Sequence, residues 1–287
     1  MALVINTNIA SLNAQRNLGK SEGSLNTSLS RLSSGLRITA AKDDAAGLAI
    51  SENLRAQIRG LTQAERNAND GISLVQTAEG ALNEVSGALI RMRELAVQAS
   101  TGTLGADERK YLNNEFQDLM TEINRIASVT EFNGIKLLNG ASSTGVSFQV
   151  GLNNVTDDRI SASIAGNTGG TYASQIGKAG SGATSLKNQV VSSVTGAQNA
   201  LSFIDKAIKD ISGVRGDLGA TQNRLSITVN NLATQRENLS AANSRIRDVD
   251  VAFETVEMTR AQILMQAGVS VLAQANGLPG MALGLIG

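Results

Sequence analysis

A mainly α fold, drawn out as a long antiparallel helical rod with coiled-coil-like packing, is what this chain predicts, and three observations carry that reading. From Val190 to Phe253 every seventh residue is apolar: Val190, Ala197, Ile204, Ile211, Leu218, Leu225, Leu232, Leu239, Ile246, Phe253. A repeat averaging 3.5 residues keeps one stripe of a helix turned toward a partner. The first half of the chain answers with Leu54, Leu61, Ala68, Val75, Leu82, Leu89 and Ala96. Finally, a single proline, Pro279, leaves little to interrupt a helix, and aromatics at 2% leave a compact globular core short of its usual filling.

Taken in order, residues 1–35 place Ile5, Ile9 and Leu12, then Leu18, Leu25, Leu29 and Leu32, at helical spacing on one stripe. Ser33-Ser34-Gly35 ends that helix, with Gly35 as its C-terminal cap. Asp43 and Asp44 then stand where carboxylates cap the orphan amides of a new helix. This second helix runs to about Ser100, roughly 85 Å. Gly60, Gly71, Gly80 and Gly87 each weaken it by roughly 0.5–1 kcal/mol relative to Ala. Thr101 to Gly105 reads as a turn, and Leu112, Phe116, Leu119, Ile123 and Ile126 mark a helix over about 107–129.

There the period changes. Asn133-Gly134 and Asn139-Gly140 are turn dipeptides, and Val146, Phe148, Val150 and later Ile160, Ala162, Ile164 alternate with polar residues. This is a small β-hairpin region, placed at the tip of the rod. Residues 166–185, rich in Gly, Ser and Thr, read as an exposed tip. Helix returns near Leu186 and continues to about Ala242. A last helical stretch, about 243–275, carries Ile246, Val249, Phe253, Val256, Ile263, Leu264, Val271 and Leu272. The ending from Leu278 to Gly287 is apolar and uncharged, unlike an ordinary loose terminus.

The expected organisation is a terminal helix pair (1–43 with 245–287), a helical rod with its small β region (44–165 with 186–244), and the tip (166–185). Packed only on each other, the terminal segments would bury ten or so large apolar side chains, roughly 15–30 kcal/mol. Ordering their roughly 85 residues costs about 1–2 kcal/mol per residue. The terminal segments are therefore expected to order against other copies of the chain. The seam for that assembly is Ile5, Ile9, Leu12, Leu25, Leu29, Leu32, Ile246, Val249, Phe253, Val256, Ile263, Leu264, Val271 and Leu272.

Composition narrows the function classes. There is no Cys and no His, which removes thiolate chemistry, the commonest general base and the commonest transition-metal ligand. No enzyme activity, metal or cofactor is expected. Lys and Arg (25) balance Asp and Glu (25), which argues against a nucleic-acid binder. No run approaches the roughly 18–20 apolar residues of a membrane span. The start, Met1 to Asn6, lacks a basic flank and a signal-peptide apolar core, so export is expected without a cleavable signal.

Several motifs then become specific: Ile5 to Gln15 (INTNIASLNAQ), Arg31 to Ile38 (RLSSGLRI), Ala41 to Ile50 (AKDDAAGLAI), Arg93 to Ala99 (RELAVQA) and Phe132-Asn133-Gly134. The far end adds Ser244-Arg245-Ile246, Arg260 to Leu264 (RAQIL), Gln266-Ala267-Gly268 and Val271 to Asn276 (VLAQAN). Together, covering both terminal thirds in order, they resemble bacterial flagellin in a short form without large outer domains. The resemblance implies an extracellular filament subunit for motility, a homopolymer whose terminal helices line an inner tube beneath an outer wall of paired helices. It further implies export through the flagellar type III apparatus, an export chaperone on the C-terminal segment, and hook-associated junction and cap proteins as partners. Arg91, Leu95 and Glu115 match the positions at which a vertebrate Toll-like receptor contacts flagellins, a surface that protofilament contacts would share. The other readings are a hook–filament junction protein, or a non-polymerising helical adhesin, which would not need an apolar C-terminus.

Overall fold

The computed structural model describes residues 7–138, 145–162 and 189–283. Five helices run through them: α1 (Ile9–Ser34), α2 (Ala45–Ala99), α3 (Ala106–Val129), α4 (Val194–Arg247) and α5 (Val251–Leu283). Four short strands form two antiparallel pairs, β1 (Glu131–Phe132) with β2 (Ile135–Lys136), and β3 (Val146–Gln149) with β4 (Arg159–Ala162). The fold is mainly α. The expected tip, 166–185, lies outside the described residues.

The chain divides into two compact units, 59–236 and 1–58 with 237–287. The division falls inside α2 and α4, not at their ends.

The 59–236 unit has a continuous core. Leu74, Val75, Leu82, Val85, Leu89, Met92 and Leu95 of α2 meet Phe116, Met120 and Ile123 of α3 and Ala197, Ile204, Ile211 and Leu218 of α4. Val75, Leu82 and Leu89 of α2 and Ala197, Ile204, Ile211 and Leu218 of α4 are heptad positions expected from the sequence, while Leu74, Val85, Met92 and Leu95 widen the stripe of α2 beyond its ladder. The ladder's first rung fails, however. Val190 is exposed, and the helix begins at Val194 and not near Leu186. Residues 189–193 are held on α3 instead: Val191 N donates to Asn113 Oδ1 at 2.9 Å, and Gln117 Nε2 donates to Gln189 O at 2.9 Å. Side-chain amides on α3 thus satisfy backbone groups that a helical turn would otherwise take up.

Charge fixes the antiparallel register of α2 and α4 in this unit. Arg93 pairs with Asp205 at 2.7 Å, Glu65 with Arg236 at 3.0 Å, and Arg215 approaches Glu79 at 3.9 Å. The sign reverses at one rung: α2 supplies the cation at Arg93 and the anions at Glu65 and Glu79. Sliding α4 by two heptads would keep apolar against apolar, yet would bring Glu79 toward Asp205. Exposed pairs are individually weak, and their value here is in discriminating registers.

Two glycines of α2 explain where the β3–β4 pair sits. A Cβ on Gly71 would lie 3.1 Å from Phe148, against its ring, and one on Gly60 would lie within contact of Leu152. Gly60 and Gly71 stand three turns apart, so they open one face of α2 to the hairpin. Asn67 Nδ2 donates to Gln149 O at 3.0 Å between them. Val150, Ile160, Ala68 and Leu225 complete a small second core there. The other pair, β1–β2, turns through Asn133 (φ 49°) and Gly134 (φ 78°). Successive positive φ angles are what a two-residue hairpin turn needs, and Asn-Gly supplies them at least cost.

The glycines of α2 are therefore not equivalent. Gly80 has open space around its missing Cβ. Gly80→Ala is expected to raise stability by about 0.5–1 kcal/mol in a circular-dichroism melt. Gly71→Ala should forfeit that gain, because the Phe148 ring has to move. Equal stabilisation by both substitutions would remove the socket role of Gly71.

Candidate functional site

The terminal unit holds the candidate assembly interface, and its own packing decides which side chains remain for partners. Two chain crossings define its base. Gly35 (φ 71°) caps α1, donating to Arg31 O at 2.8 Å. Leu36 then pairs with Asp248 as an antiparallel bridge: Arg37 N donates to Arg247 O at 2.7 Å and Val249 N to Gly35 O at 3.1 Å. This bridge interrupts the helix expected over 243–275, so α4 ends at Arg247 and α5 starts at Val251. Asp250 caps the new helix, its Oδ1 accepting from Ala252 N at 2.9 Å and Phe253 N at 3.1 Å.

The two aspartates expected to cap α2 have separate tasks. Asp44 Oδ1 accepts from Gly47 N at 2.8 Å, a cap on the first turn. Asp43 Oδ2 instead accepts from Thr39 N, Thr39 Oγ1 and Ala40 N at 3.1, 2.9 and 3.0 Å, closing the preceding turn. The hydrogen bond from the Ala40 amide, followed by those from Thr39, holds the Asp43 carboxyl below its ordinary pKa. Beside this turn Ile38 is fully buried against Gly47. It is the one large apolar side chain buried to that degree among the described residues of this unit.

The α1–α5 contact alternates small residues, which it buries, with Leu and Met, which it half-covers. On α1, Ser11, Ala14, Leu18, Ser21, Leu25, Ser28 and Leu32 turn inward at alternating three- and four-residue steps. On α5 the inward row is Glu254, Met258, Ala261, Met265, Gly268, Leu272 and Ala275. Ser11, Ala14, Ser28, Ala261 and Ala275 are buried, and Leu18 lies over Gly268, whose added Cβ would come to 3.3 Å. This is a coiled-coil seam whose buried apolar residues, among those described, are all alanines.

Polar contacts hold its ends. Glu254 is 5% exposed and faces Arg31 at 3.6 Å, while Arg31 Nε, also buried, has no hydrogen-bond partner. At the far end Pro279 lies within α5 and offers no N–H to the Ala275 carbonyl four residues back. Asn8 supplies the missing donor: its Nδ2 reaches Ala275 O at 2.7 Å while its Oδ1 accepts from Ser11 N at 3.0 Å. One side chain thereby caps α1 and completes the helix ladder of α5. Ser11 Oγ adds a bond to Asn276 Oδ1 at 2.7 Å.

Most large apolar residues of the expected assembly seam consequently face outward. Ile9, Leu12 and Leu29 of α1 and Phe253, Val256, Ile263, Leu264 and Val271 of α5 are exposed, Phe253 by 64%. Val251 and Val269 join them. Leu25, Leu32 and Leu272 take the inward seam, and Ile246 and Val249 are half-buried near the crossing. Ile5 lies outside the described residues.

The second candidate surface is on the 59–236 unit. Arg91 binds Glu115 through Nε at 2.9 Å and Nη2 at 2.8 Å, and Glu94 through Nη1 at 3.0 Å. Glu115 above all, with Glu94, holds the guanidinium yet more firmly protonated. Leu95, expected on the same surface, is 1% exposed and belongs to the α2–α3–α4 core. Its neighbour spacing explains this: Leu95 follows Met92 by three residues on the inward stripe, whereas Arg91 and Glu94 point away. Among the described residues no acidic cluster has the makings of a metal site, and no helix is long and apolar enough to cross a membrane.

Comparison with known proteins agrees with this architecture at both ends. Residues 5–143 match the bacterial flagellin N-terminal helical region, and residues 201–286 match the bacterial flagellin C-terminal helical region. A flagellin of Halalkalibacterium halodurans is 47% identical over 286 residues, covering 99% of this chain and all of that protein. The flagellar filament 33 kDa core protein of Treponema phagedenis is 44% identical over 283 residues, 96% of each chain. A solved structure of a putative flagellar hook-associated protein from Vibrio parahaemolyticus shares the fold at 15% identity, with a TM-score of 0.60 over 72% of this chain and all of that one.

The Arg31–Glu254 contact yields a double-mutant test. Arg31→Leu strands a buried carboxylate and is expected to destabilise the α1–α5 pair by about 1–3 kcal/mol. Arg31→Leu with Glu254→Leu removes the stranded charge and should restore most of that loss. Amide hydrogen exchange across 9–34 reads both, and an equal loss in the double variant would argue against the pair.

Proposed function

Because this chain belongs to the bacterial flagellin family and is a structural subunit of the extracellular flagellar filament, we propose that the outward apolar faces of α1 and α5 drive its polymerisation. The observation that carries this is the inversion of the terminal unit. The positions its seam buries most are Ser, Ala and Glu254, its Leu and Met are only half-buried, and Ile9, Leu12, Leu29, Val251, Phe253, Val256, Ile263, Leu264, Val269 and Val271 lie exposed. Covering these ten half-exposed side chains would contribute on the order of 10 kcal/mol. That is comparable to the roughly 4–15 kcal/mol cost of association, so growth should be cooperative and concentration-dependent.

The filament role favours a structural protein over an enzyme, and a filament subunit over a junction protein or an adhesin. Identity of 44–47% across nearly the whole of two filament proteins supports that choice. The same apolar face of α5 is suited to an export chaperone before assembly, since exposed Val, Ile and Leu at helical spacing are what a helix-binding groove takes. Export proceeds through the type III apparatus, and hook-associated junction and cap proteins meet the subunit at the filament ends. In a vertebrate host, Arg91 and Glu115 present a paired charge to the Toll-like receptor, with Leu95 acting from beneath by holding α2 in place.

Two measurements test these assignments. Negative-stain microscopy of seeded protein should show filaments from the intact chain and none after removal of 1–43 and 245–287. Equal polymerisation of the trimmed chain would move the driving contacts elsewhere. For the receptor, Arg91→Ala and Glu115→Ala are expected to lower signalling about tenfold or more with an unchanged melting temperature. Leu95→Ala should act through stability, losing about 2–5 kcal/mol. A signalling loss in Leu95→Ala without a melting shift would make Leu95 a direct contact.

A further inference from the structure

The 59–236 unit carries a knob and a socket that cannot meet within one chain. The socket is a groove of about 490 Å³ beneath the turn between β3 and β4, walled by Leu61 of α2, Leu152 and Ile160 of the hairpin, and Ile227 and Leu232 of α4. Its rim is open and mixed in character, with Ile227 69% exposed beside Arg224, Thr228 and Gln235. Asp157, Asp158, Arg224 and Asn231 add polar groups to the wall, where Asp158 Oδ2 accepts from Asn153 N at 2.6 Å.

The knob is Tyr111, 73% exposed in the first turns of α3. Aromatics are scarce in this chain, and the described phenylalanines of the unit, Phe116, Phe132, Phe148 and Phe203, are all buried or half-buried. Tyr111 is the one described aromatic of the unit left in solvent. It stands on a rigid mount: Arg109 donates from Nε to Ala99 O at 3.1 Å and from Nη2 to Thr101 O at 3.0 Å, clamping the α2–α3 turn. Beside it the Lys110 ammonium is exposed and unpaired among the described residues. From Leu61 at the groove to Ala99 at the clamp, α2 rises about 57 Å.

We infer that Tyr111 of one copy seats in the hairpin groove of a second copy, head to tail. The inference rests on the filament role and names a contact that role does not specify. An open helical polymer needs a heterologous contact, two different patches on one chain that fit each other. Here the fit is of shape and of charge. The ring meets Leu152 and Ile227, the hydroxyl reaches the Asn231 side, and Lys110 comes to Asp157. A tyrosine with an apolar body and a polar tip is the usual anchor of such a pocket.

The absence of cysteine makes the contact directly readable. Tyr111→Cys and Ile227→Cys chains are doped together into excess wild-type protein, polymerised from seeds and treated with a short bismaleimide. A 111–227 dimer, mapped by peptide mass, is expected in filaments and not in the same mixture kept unpolymerised. Filaments that contain both variants but no such dimer overturn the contact, and so does an equal yield without polymerisation. In a second measurement, Tyr111→Ala and Ile227→Lys should each raise the critical concentration about tenfold, and together no more than either alone. A wild-type critical concentration for Tyr111→Ala also overturns it. In every overturning case filaments still form, so the filament role stands and this contact alone is lost.

Discussion

The direction in which large aliphatic side chains point governs this molecule. In the 59–236 unit Leu, Ile and Met from three helices turn inward and form a core that needs no partner. In the terminal unit the buried positions of the α1–α5 seam go to Ser, Ala and Glu254, its inward Leu and Met are half-covered, and most other large residues turn out. Small residues let α1 and α5 approach closely but exclude little water, and hydrophobic stabilisation scales with area removed from water. A unit built this way is held in shape mainly by polar contacts: the crossing at Leu36 and Asp248, the Asp43 turn, and the Asn8 bridge to Ala275. Such contacts specify geometry while contributing modestly to stability. The terminal unit is thus ordered enough to present a face and too poorly cored to be indifferent to what covers it.

The heptad ladders were legible because α2 and α4 fill their seams with residues whose size gives them away. Ala197, Ile204, Ile211, Leu218, Leu225 and Leu232 are all buried, as read. The ladder misleads beyond Arg247, where the crossing at 248–250 resets the helix. Phe253 continues the seven-residue count yet faces solvent, and its neighbour Glu254 takes the buried position. A reading that follows large apolar residues cannot find a seam of Glu, Ala, Gly and Ala. The same blindness hides Asn8, whose role depends on a proline about 270 residues away in sequence. What could have been found is the seven-residue spacing of Glu254, Ala261, Gly268 and Ala275, had small residues been counted as candidates for the inside.

At the Arg91 surface the residues were legible and one orientation was not. Arg91 and Glu115 are joined across α2 and α3, and Arg93 is held to Asp205 on α4, so one turn of α2 grips both neighbouring helices. Leu95 lies under that turn, in the core. A partner that reads Arg91 and Glu115 meets charges already satisfied by each other, which lowers the gain from any new ion pair and raises the importance of shape. Such a surface rewards a partner that matches the spacing of the two side chains, and tolerates poorly a change that frees either one.

Glycine placement connects the fold to assembly. In a helix as long as α2 glycines look like weak points, yet the helix is unbroken from Ala45 to Ala99. Gly60 and Gly71 are where the hairpin comes down onto α2, and without that close approach Leu152 and Phe148 would stand off the helix. The groove beside Ile227 exists because the hairpin is seated so low, with Leu152 forming one wall and Leu61 the floor. Restoring a methyl at Gly60 would therefore act at a distance from any helix propensity, by lifting the wall of the groove. Helix weakness at these two positions and a concave surface on the finished unit are two consequences of one substitution pattern, and the second is the one a self-assembling chain has reason to keep.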